Sequence, residues 1–209
     1  MRDEVFSIFI GEVGEATTSR YVPEAEIEKW KGKLPELLLN YWRNEGWSSY
    51  YNGLLTIVNP EDYEYIVDEW LENTYLEEID SFHAIAINGF GNIYLCGEKT
   101  GQCVVISPIF NTIFVQKKKL KRIQTTDSLN VSILTLFLSS KVERHGKDGL
   151  FDKAIQKFGP LDDYEIFGFE PALILGGELD IKYIQKVDAR IHLSILAQLA
   201  DPEIDEITV

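Results

Sequence analysis

Residues 82–115 read FHAIAINGFGNIYLCGEKTGQCVVISPIFNTIFV, and this stretch decides the fold. It contains four short runs rich in β-branched and aromatic residues: FHAIAIN, NIYLC, QCVVIS and NTIFV. The runs are separated by GFG, GEKTG and Pro108, which favour turns. Short strands joined by tight turns are typical of an antiparallel meander, and we predict one from Phe82 to Val115.

Helical patterns occur on both sides of this stretch along the chain. Hydrophobic residues between Val5 and Val13 recur every three or four positions, so they share one helical face that ends at Gly14. WSSYYNGLLTIV, residues 47–58, predicts two strands around a turn. Further helices are predicted at residues 24–31, 35–46, after Asn59, 128–140, 150–158 and, as one long final helix, 181–200.

The predicted fold class is therefore α+β. An antiparallel sheet meander is covered by helices, and a mainly helical C-terminal subdomain follows it. Each helix has a hydrophobic face, so the elements must share a core. The polar segment KVERHGKDG, Lys141 to Gly149, marks the predicted boundary between the two parts.

The chain is strongly acidic, and its charge restricts the partners it can bind. Its 209 residues include 20 Lys and Arg against 34 Asp and Glu, a net charge of −14. Such a field repels phosphate backbones and anionic membranes and attracts basic proteins. We therefore expect no nucleic-acid or membrane partner.

The expected location is the cytoplasm. The first residues, MRDEVFSIFIGEVG, lack the long apolar core and cleavage site of a signal peptide, and no apolar run approaches the length of a membrane helix. Cys96 and Cys103 flank a predicted turn, and a cytoplasmic protein would keep them as thiols.

Sequence motifs of common catalytic and cofactor sites are missing. GFGN at residues 89–92 reads as a hairpin turn because no helix follows it. His83, His145 and His192 are far apart and have no ligand partner at metal-site spacing. We expect no cofactor and no metal.

One enzymatic alternative stays open. Asp188 and His192 are four residues apart on the predicted final helix, where they could act as a base and its orienting carboxylate. Paired carboxylates elsewhere could serve a glycosidase. The alternative function is thus a small acidic hydrolase using a carboxylate cluster or Asp188/His192.

Acidic clusters, together with aromatic residues that could be either core residues or interface anchors, are the candidate partner-binding groups. The carboxylates would attract a basic partner over a distance, and the aromatic side chains would anchor it. The candidates are Asp162, Asp163 and Glu165, then Glu61, Asp62, Asp68 and Glu69 near the helix after Asn59, and the aromatic residues Trp47, Tyr50 and Tyr51.

Two long blocks resemble known bacterial domains. LFDKAIQKFGPLDDYEIFGFEPALILGG, residues 150–177, and QKVDARIHLSILAQLAD, residues 185–201, are similar to the C-terminal domain of immunity proteins that protect bacteria from type VI secretion DNase effectors. LPELLLNYWRNEGWSSYYNGLLTIVNPEDYEYIVDEWL, residues 34–71, resembles the GAD-like domain that precedes it in such proteins. The resemblance implies a GAD-like domain at residues 1–125 and an immunity domain at residues 145–205.

The resemblance also implies a function. Such families are cytoplasmic α+β proteins without catalysis that bind and block a toxin made in the same cell. The matching motif residues read physically as turn and packing positions: Gly168, Phe169, Pro171, Gly176 and Gly177. Nuclease toxins are usually basic, so the resemblance agrees with the acidic charge. An intracellular adaptor without a toxin is a third possibility.

Overall fold

The predicted meander forms the centre of an eight-stranded sheet. The computed structural model describes residues 2–145 and 149–207. Within this part of the chain, strands at Phe82–Asn88, Ile93–Gly97, Gly101–Ser107 and Thr112–Gln116 pair antiparallel with one another in sequence order. The prediction of an antiparallel meander in an α+β fold is confirmed.

Helices and strands are intermixed along the chain. The helices are α1 (Glu4–Val13), α2 (Glu24–Trp30), α3 (Glu36–Glu45), α4 (Glu64–Leu71), α5 (Lys117–Leu120), α6 (Thr126–His145), α7 (Leu150–Phe158) and α8 (Ala189–Ala197). The strands are β1 (Ala16–Arg20), β2 (Trp47–Tyr50), β3 (Leu55–Ile57), β4 (Phe82–Asn88), β5 (Ile93–Gly97), β6 (Gly101–Ser107), β7 (Thr112–Gln116), β8 (Glu165–Phe169), β9 (Ile184–Asp188) and β10 (Glu203–Ile207). Strands β4 to β7 are consecutive, and so are helices α5 to α7.

The main sheet has the strand order β1-β2-β3-β4-β5-β6-β7-β10. Its neighbours pair antiparallel up to β7. The last strand, β10, pairs parallel with β7, with Ile204 opposite Ile113. The sheet is therefore mixed, and a strand from the C-terminal part of the chain completes it.

Helices cover both faces of this sheet. Along β5, Tyr94 and Cys96 belong to one hydrophobic cluster, whereas Ile93 and Leu95 belong to the other. The first cluster includes side chains of α1, α2, α3, α6 and α7, and the second includes side chains of α4 and α8. Successive side chains of a strand point to opposite faces, so both faces of β5 are buried.

The C-terminal region differs from its prediction. We expected a mainly helical subdomain, but this region contains the antiparallel hairpin β8–β9 as well as β10. The single long helix predicted at residues 181–200 is wrong, because β9 occupies its first half and α8 begins only at Ala189. Asp188 causes the change, since its side chain accepts hydrogen bonds from the N–H groups of Arg190 and Ile191 and so caps a new helix.

The predicted boundary at Lys141 to Gly149 lies partly outside the described residues. Helix α6 continues to His145, and residues 146–148 are not among those described. The division into domains at residues 1–125 and 145–205 stays a prediction.

The C-terminal region is attached to the sheet at the turn between β4 and β5. The backbone N–H of Phe167 donates to the carbonyl oxygen of Gly89 at 2.8 Å. A β-carbon on Gly89 would lie 2.1 Å from the ring of Phe151 and 2.9 Å from the Gly53 carbonyl oxygen. On the other face of the sheet, the indole N–H of Trp70 donates to the carbonyl of Leu193 at 3.1 Å. Both contacts fix the C-terminal elements relative to the sheet.

We predict that Gly89→Ala lowers the free energy of unfolding by about 2–3 kcal/mol, because the new methyl group overlaps Phe151 and a backbone oxygen that cannot move aside cheaply. Urea unfolding followed by tryptophan fluorescence measures this change.

Gly11→Ala is the matched control. Gly11 lies within α1, and a β-carbon there would meet no atom within 4 Å. Because alanine is a better helix former, this variant should be stabilised by up to about 1 kcal/mol. Equal losses in the two variants would contradict the steric argument.

Candidate functional site

Several of the predicted partner-binding residues meet in one cleft. Strands β1 and β2 form one side of this cleft, and the loop before β8 forms the other. We call it the Tyr164 cleft, and its polar and aromatic lining residues are Thr18, Arg20, Trp47, Ser49, Thr56, Tyr63, Asp162, Asp163, Tyr164 and Glu165. The structure thus brings Trp47 next to the acidic loop at residues 162–165.

Tyr164 organises the cleft. Two guanidinium groups lie close to its ring, with Arg190 4.0 Å and Arg20 5.2 Å from the ring centroid. Its hydroxyl donates to Asp62 at 3.0 Å and accepts from Arg20 at 2.7 Å. Burial and the bond to Asp62 raise the pKa of Tyr164, so the phenol stays protonated at neutral pH. The Arg20 guanidinium also lies 5.3 Å from the centroid of the Trp47 ring.

The acidic loop divides into a fixed carboxylate and two exposed ones. Glu165 accepts hydrogen bonds from the Asp162 N–H at 2.8 Å and from Lys186 at 2.9 Å. Burial would raise the pKa of Glu165, but these two bonds outweigh it and the pKa is lowered. Asp162 and Asp163 are exposed to solvent. Their charge is directed outward, whereas that of Glu165 is neutralised within the fold.

The other predicted carboxylates are spread over the turn at Pro60–Asp62 and over α4. Glu61 pairs with Lys29 at 2.9 Å, and Asp62 lies 3.5 Å from Arg20. Asp68 is exposed, and Glu69 accepts a hydrogen bond from Gln198 of the segment that follows α8. These carboxylates therefore do not form one continuous patch.

The three predicted aromatic anchors have different surroundings. Tyr50 is only 1% exposed and packs edge-on against Phe6 and Phe9, so a docking partner cannot reach it. Tyr51 is partly exposed and donates to Asp152 at 3.0 Å. Trp47 is partly exposed and packs at 5.7 Å against the buried ring of Trp42.

The proposed catalytic pair is not assembled. Both carboxylate oxygens of Asp188 are bound to Arg190 and to the backbone at the start of α8. The ring of His192 lies against Gly168 instead, and its Nε2 would be 2.8 Å from a β-carbon placed there. Burial lowers the pKa of His192, so the imidazole is neutral at pH 7. Asp188 acts as a helix cap.

The cysteines are not placed for nucleophilic chemistry. Cys96 and Cys103 are both buried free thiols. Burial raises the pKa of Cys103 to about 11 and raises that of Cys96 further. Thiols of this kind stay protonated at neutral pH and react slowly. Among the described residues, no group of three or more His, Cys, Asp and Glu side chains could hold a metal ion.

Sequence reasoning missed Arg20, Tyr164 and Arg190. The contact between Arg20 and Tyr164 joins residues 144 positions apart, so no local pattern could reveal it. Tyr164 has a φ of +64°, which is uncommon for a tyrosine, but the sequence carries no signal for it.

Two family models match the chain. The GAD-like domain matches residues 4–110, and the C-terminal domain of T6SS immunity protein Tdi1 matches residues 133–200. A search of curated proteins finds no match. Among solved structures, the crystal structure of Atu4351 from Agrobacterium tumefaciens is similar with a TM-score of 0.81. The alignment covers 96% of this chain and 91% of that chain at 21% identity, and it supports the fold alone.

None of the helices in the described ranges is both long and apolar enough to cross a lipid bilayer.

We predict that Asp188 stabilises the fold as a helix cap. Asp188→Ala should lower the free energy of unfolding by about 1 kcal/mol, and Asp188→Asn by less, because asparagine still caps. Chemical unfolding at pH 7 compares the three proteins. A loss no larger for alanine than for asparagine would contradict the capping role.

The pH dependence of this effect has a defined sign. Burial would raise the pKa of Asp188, but hydrogen bonds from the Ile191 N–H and Arg190 outweigh it and the pKa is lowered. The charged carboxylate therefore adds stability above the usual aspartate pKa, and this part is lost as the pH falls through the lowered value. The wild-type advantage over Asp188→Asn should shrink in acid, and by a small amount because the side chain is partly exposed.

Proposed function

The chain belongs to the GAD-like domain family and carries the C-terminal domain of T6SS immunity protein Tdi1, and we propose that it binds and neutralises a type VI secretion effector that is a DNase. The match to an immunity domain over residues 133–200 is the observation that carries this proposal. The partner of an immunity protein is its cognate effector. Our proposal adds the class of toxin and the surface that meets it.

The geometry of the chain favours binding over catalysis. Asp188 is used as a helix cap, and His192 faces a glycine. The buried thiols have raised pKa values. The hydrolase alternative therefore lacks an assembled catalytic group at Asp188/His192, and immunity-protein families are typically non-enzymatic.

Charge supports a nuclease as the partner. A DNase must hold a phosphate backbone, so its DNA-binding face is basic. A protein with a net charge of −14 attracts such a face and accelerates association with it. An acidic inhibitor can also bind this basic face in place of the DNA.

The proposed contact surface includes the exposed part of the Tyr164 cleft and the carboxylates beside it. Asp162 and Asp163 supply charge that points outward, and Trp47 and Tyr51 supply partly exposed aromatic surface. Glu165, Glu61 and Asp62 are held by cations of this chain, so they position the surface more than they attract a partner. Asp68 adds an exposed charge on α4, whereas Glu69 is partly exposed and has one buried carboxylate oxygen.

Co-expression with the product of a large neighbouring open reading frame tests the function. We expect the two proteins to co-purify as a stable complex, and we expect this chain to suppress DNA cleavage by that product in a plasmid-degradation assay. A complex that forms while the partner cleaves no DNA would contradict the DNase part of the proposal. Full DNA cleavage in the presence of excess chain would contradict neutralisation.

Association kinetics test the electrostatic part. Asp162→Lys with Asp163→Lys should lower the association rate about tenfold at low salt and flatten its salt dependence, because steering depends on the local field. Surface plasmon resonance at two salt concentrations measures both effects. Trp47→Ala should instead raise the dissociation rate, as loss of an anchor does.

The matched control changes the net charge equally at sites outside the lining of the Tyr164 cleft. Glu4 on α1 and Asp127 on α6 are exposed, and Glu4→Lys with Asp127→Lys should leave most of the association rate intact. If both double variants slow association equally, the total charge matters and the cleft carboxylates have no special part.

A further inference from the structure

A groove lies where the turn before β7 meets the segment after β8 and the start of β10. The groove has a volume of about 340 Å³, and we call it the C-terminal groove. Its lining residues are Ile109, Phe110, Asn111, Leu173, Ile174, Asp201 and Glu203. A second, apolar depression shares Ile109, Leu173 and Ile174 with it and reaches Leu193 and Leu196 on the buried side of α8.

The walls of the groove are apolar and one of them is aromatic. Phe110 is 49% exposed, and Ile174 is also exposed beside it. Apolar patches of this kind, surrounded by polar residues, mark interaction sites in soluble proteins. The volume is within the range of pockets that hold an organic ligand or a large side chain.

The mouth of the groove carries negative charge. Asp201 and Glu203 are both exposed, and neither has a cationic partner among the residues that the structure describes. Asn111 donates its amide N–H to the backbone carbonyl of Asp201 at 2.9 Å, while its own side-chain oxygen is buried without a donor in the same part of the chain. A ligand with several N–H donors would satisfy the two exposed carboxylates.

We propose that the C-terminal groove binds one arginine side chain of the cognate effector. The aliphatic part of the arginine lies on Leu173 and Ile174, and its guanidinium lies near Phe110 and bonds the carboxylates of Asp201 and Glu203. This inference rests on the proposed function, because it takes the effector as the partner.

Charge and geometry select this occupant over others. An anionic membrane is repelled by the acidic mouth and by a net charge of −14. A second copy of the chain carries the same negative charge, so like charges would oppose its docking. Arginine is enriched among the residues that dominate binding energy, and it fits a site with apolar walls and carboxylates at the mouth.

Calorimetric titration with the purified product of the neighbouring open reading frame tests the proposal. Phe110→Ala and the double variant Asp201→Asn with Glu203→Gln should each raise the dissociation constant about tenfold or more. A loss of this size corresponds to loss of an anchor contact. Thermal unfolding of each variant close to the wild type shows that the fold is kept.

Glu4→Gln with Glu28→Gln is the control, because it removes the same charge at exposed positions on α1 and α2. If the wild type binds and the groove variants bind as tightly as this control, the groove proposal is overturned while the proposed function stands. If the wild type itself does not bind, the proposed function fails first. A wild-type dimer in light scattering that Phe110→Ala dissociates would assign the groove to a second copy and overturn the proposal.

Discussion

The close approach of the chain at Gly89 is the constraint on which the rest of the arrangement depends. The Phe167 N–H donates to the Gly89 carbonyl at 2.8 Å, and the Phe151 ring occupies the space where a side chain would be. One turn of the sheet thus places both β8 and α7. Strand β8 follows the loop that contains Tyr164 and pairs with β9, which leads directly into α8. The Tyr164 cleft and the C-terminal groove therefore both depend on this turn.

Local patterns were sufficient for most of the first two thirds of the fold, but they missed the short polar strand β1 and the short helix α5. Helices α1 and α3 end at Gly14 and Gly46, as their hydrophobic spacing and glycines predict. The C-terminal region was mispredicted because an apolar run conceals a strand followed by a helix, and only the capping bonds of Asp188 separate them. Strand β10 was missed because its partner strand lies far away in the sequence, with Ile204 opposite Ile113. Such long-range pairing leaves no local signal.

The candidate site was predictable in its charge and not in its contacts. The acidic excess pointed to a basic partner from composition alone. Which side chains reach solvent was decided by tertiary packing, as Tyr50 shows by pointing into the core while Tyr51, the next residue, remains partly exposed. The stacking of Arg20 and Arg190 on Tyr164 joins three distant segments, so only the folded chain could reveal it.

The parallel pairing of β10 with β7 has a consequence for synthesis of the protein. Strand β7 leaves the ribosome long before residues 203–207, and translation proceeds at roughly 5–20 residues per second. For several seconds the nascent sheet thus ends in an unpaired strand, TIFVQ, whose three central residues are apolar. Open strand edges of this kind promote association between chains. The acidic β10 closes this edge last, so the period of greatest aggregation risk falls during translation.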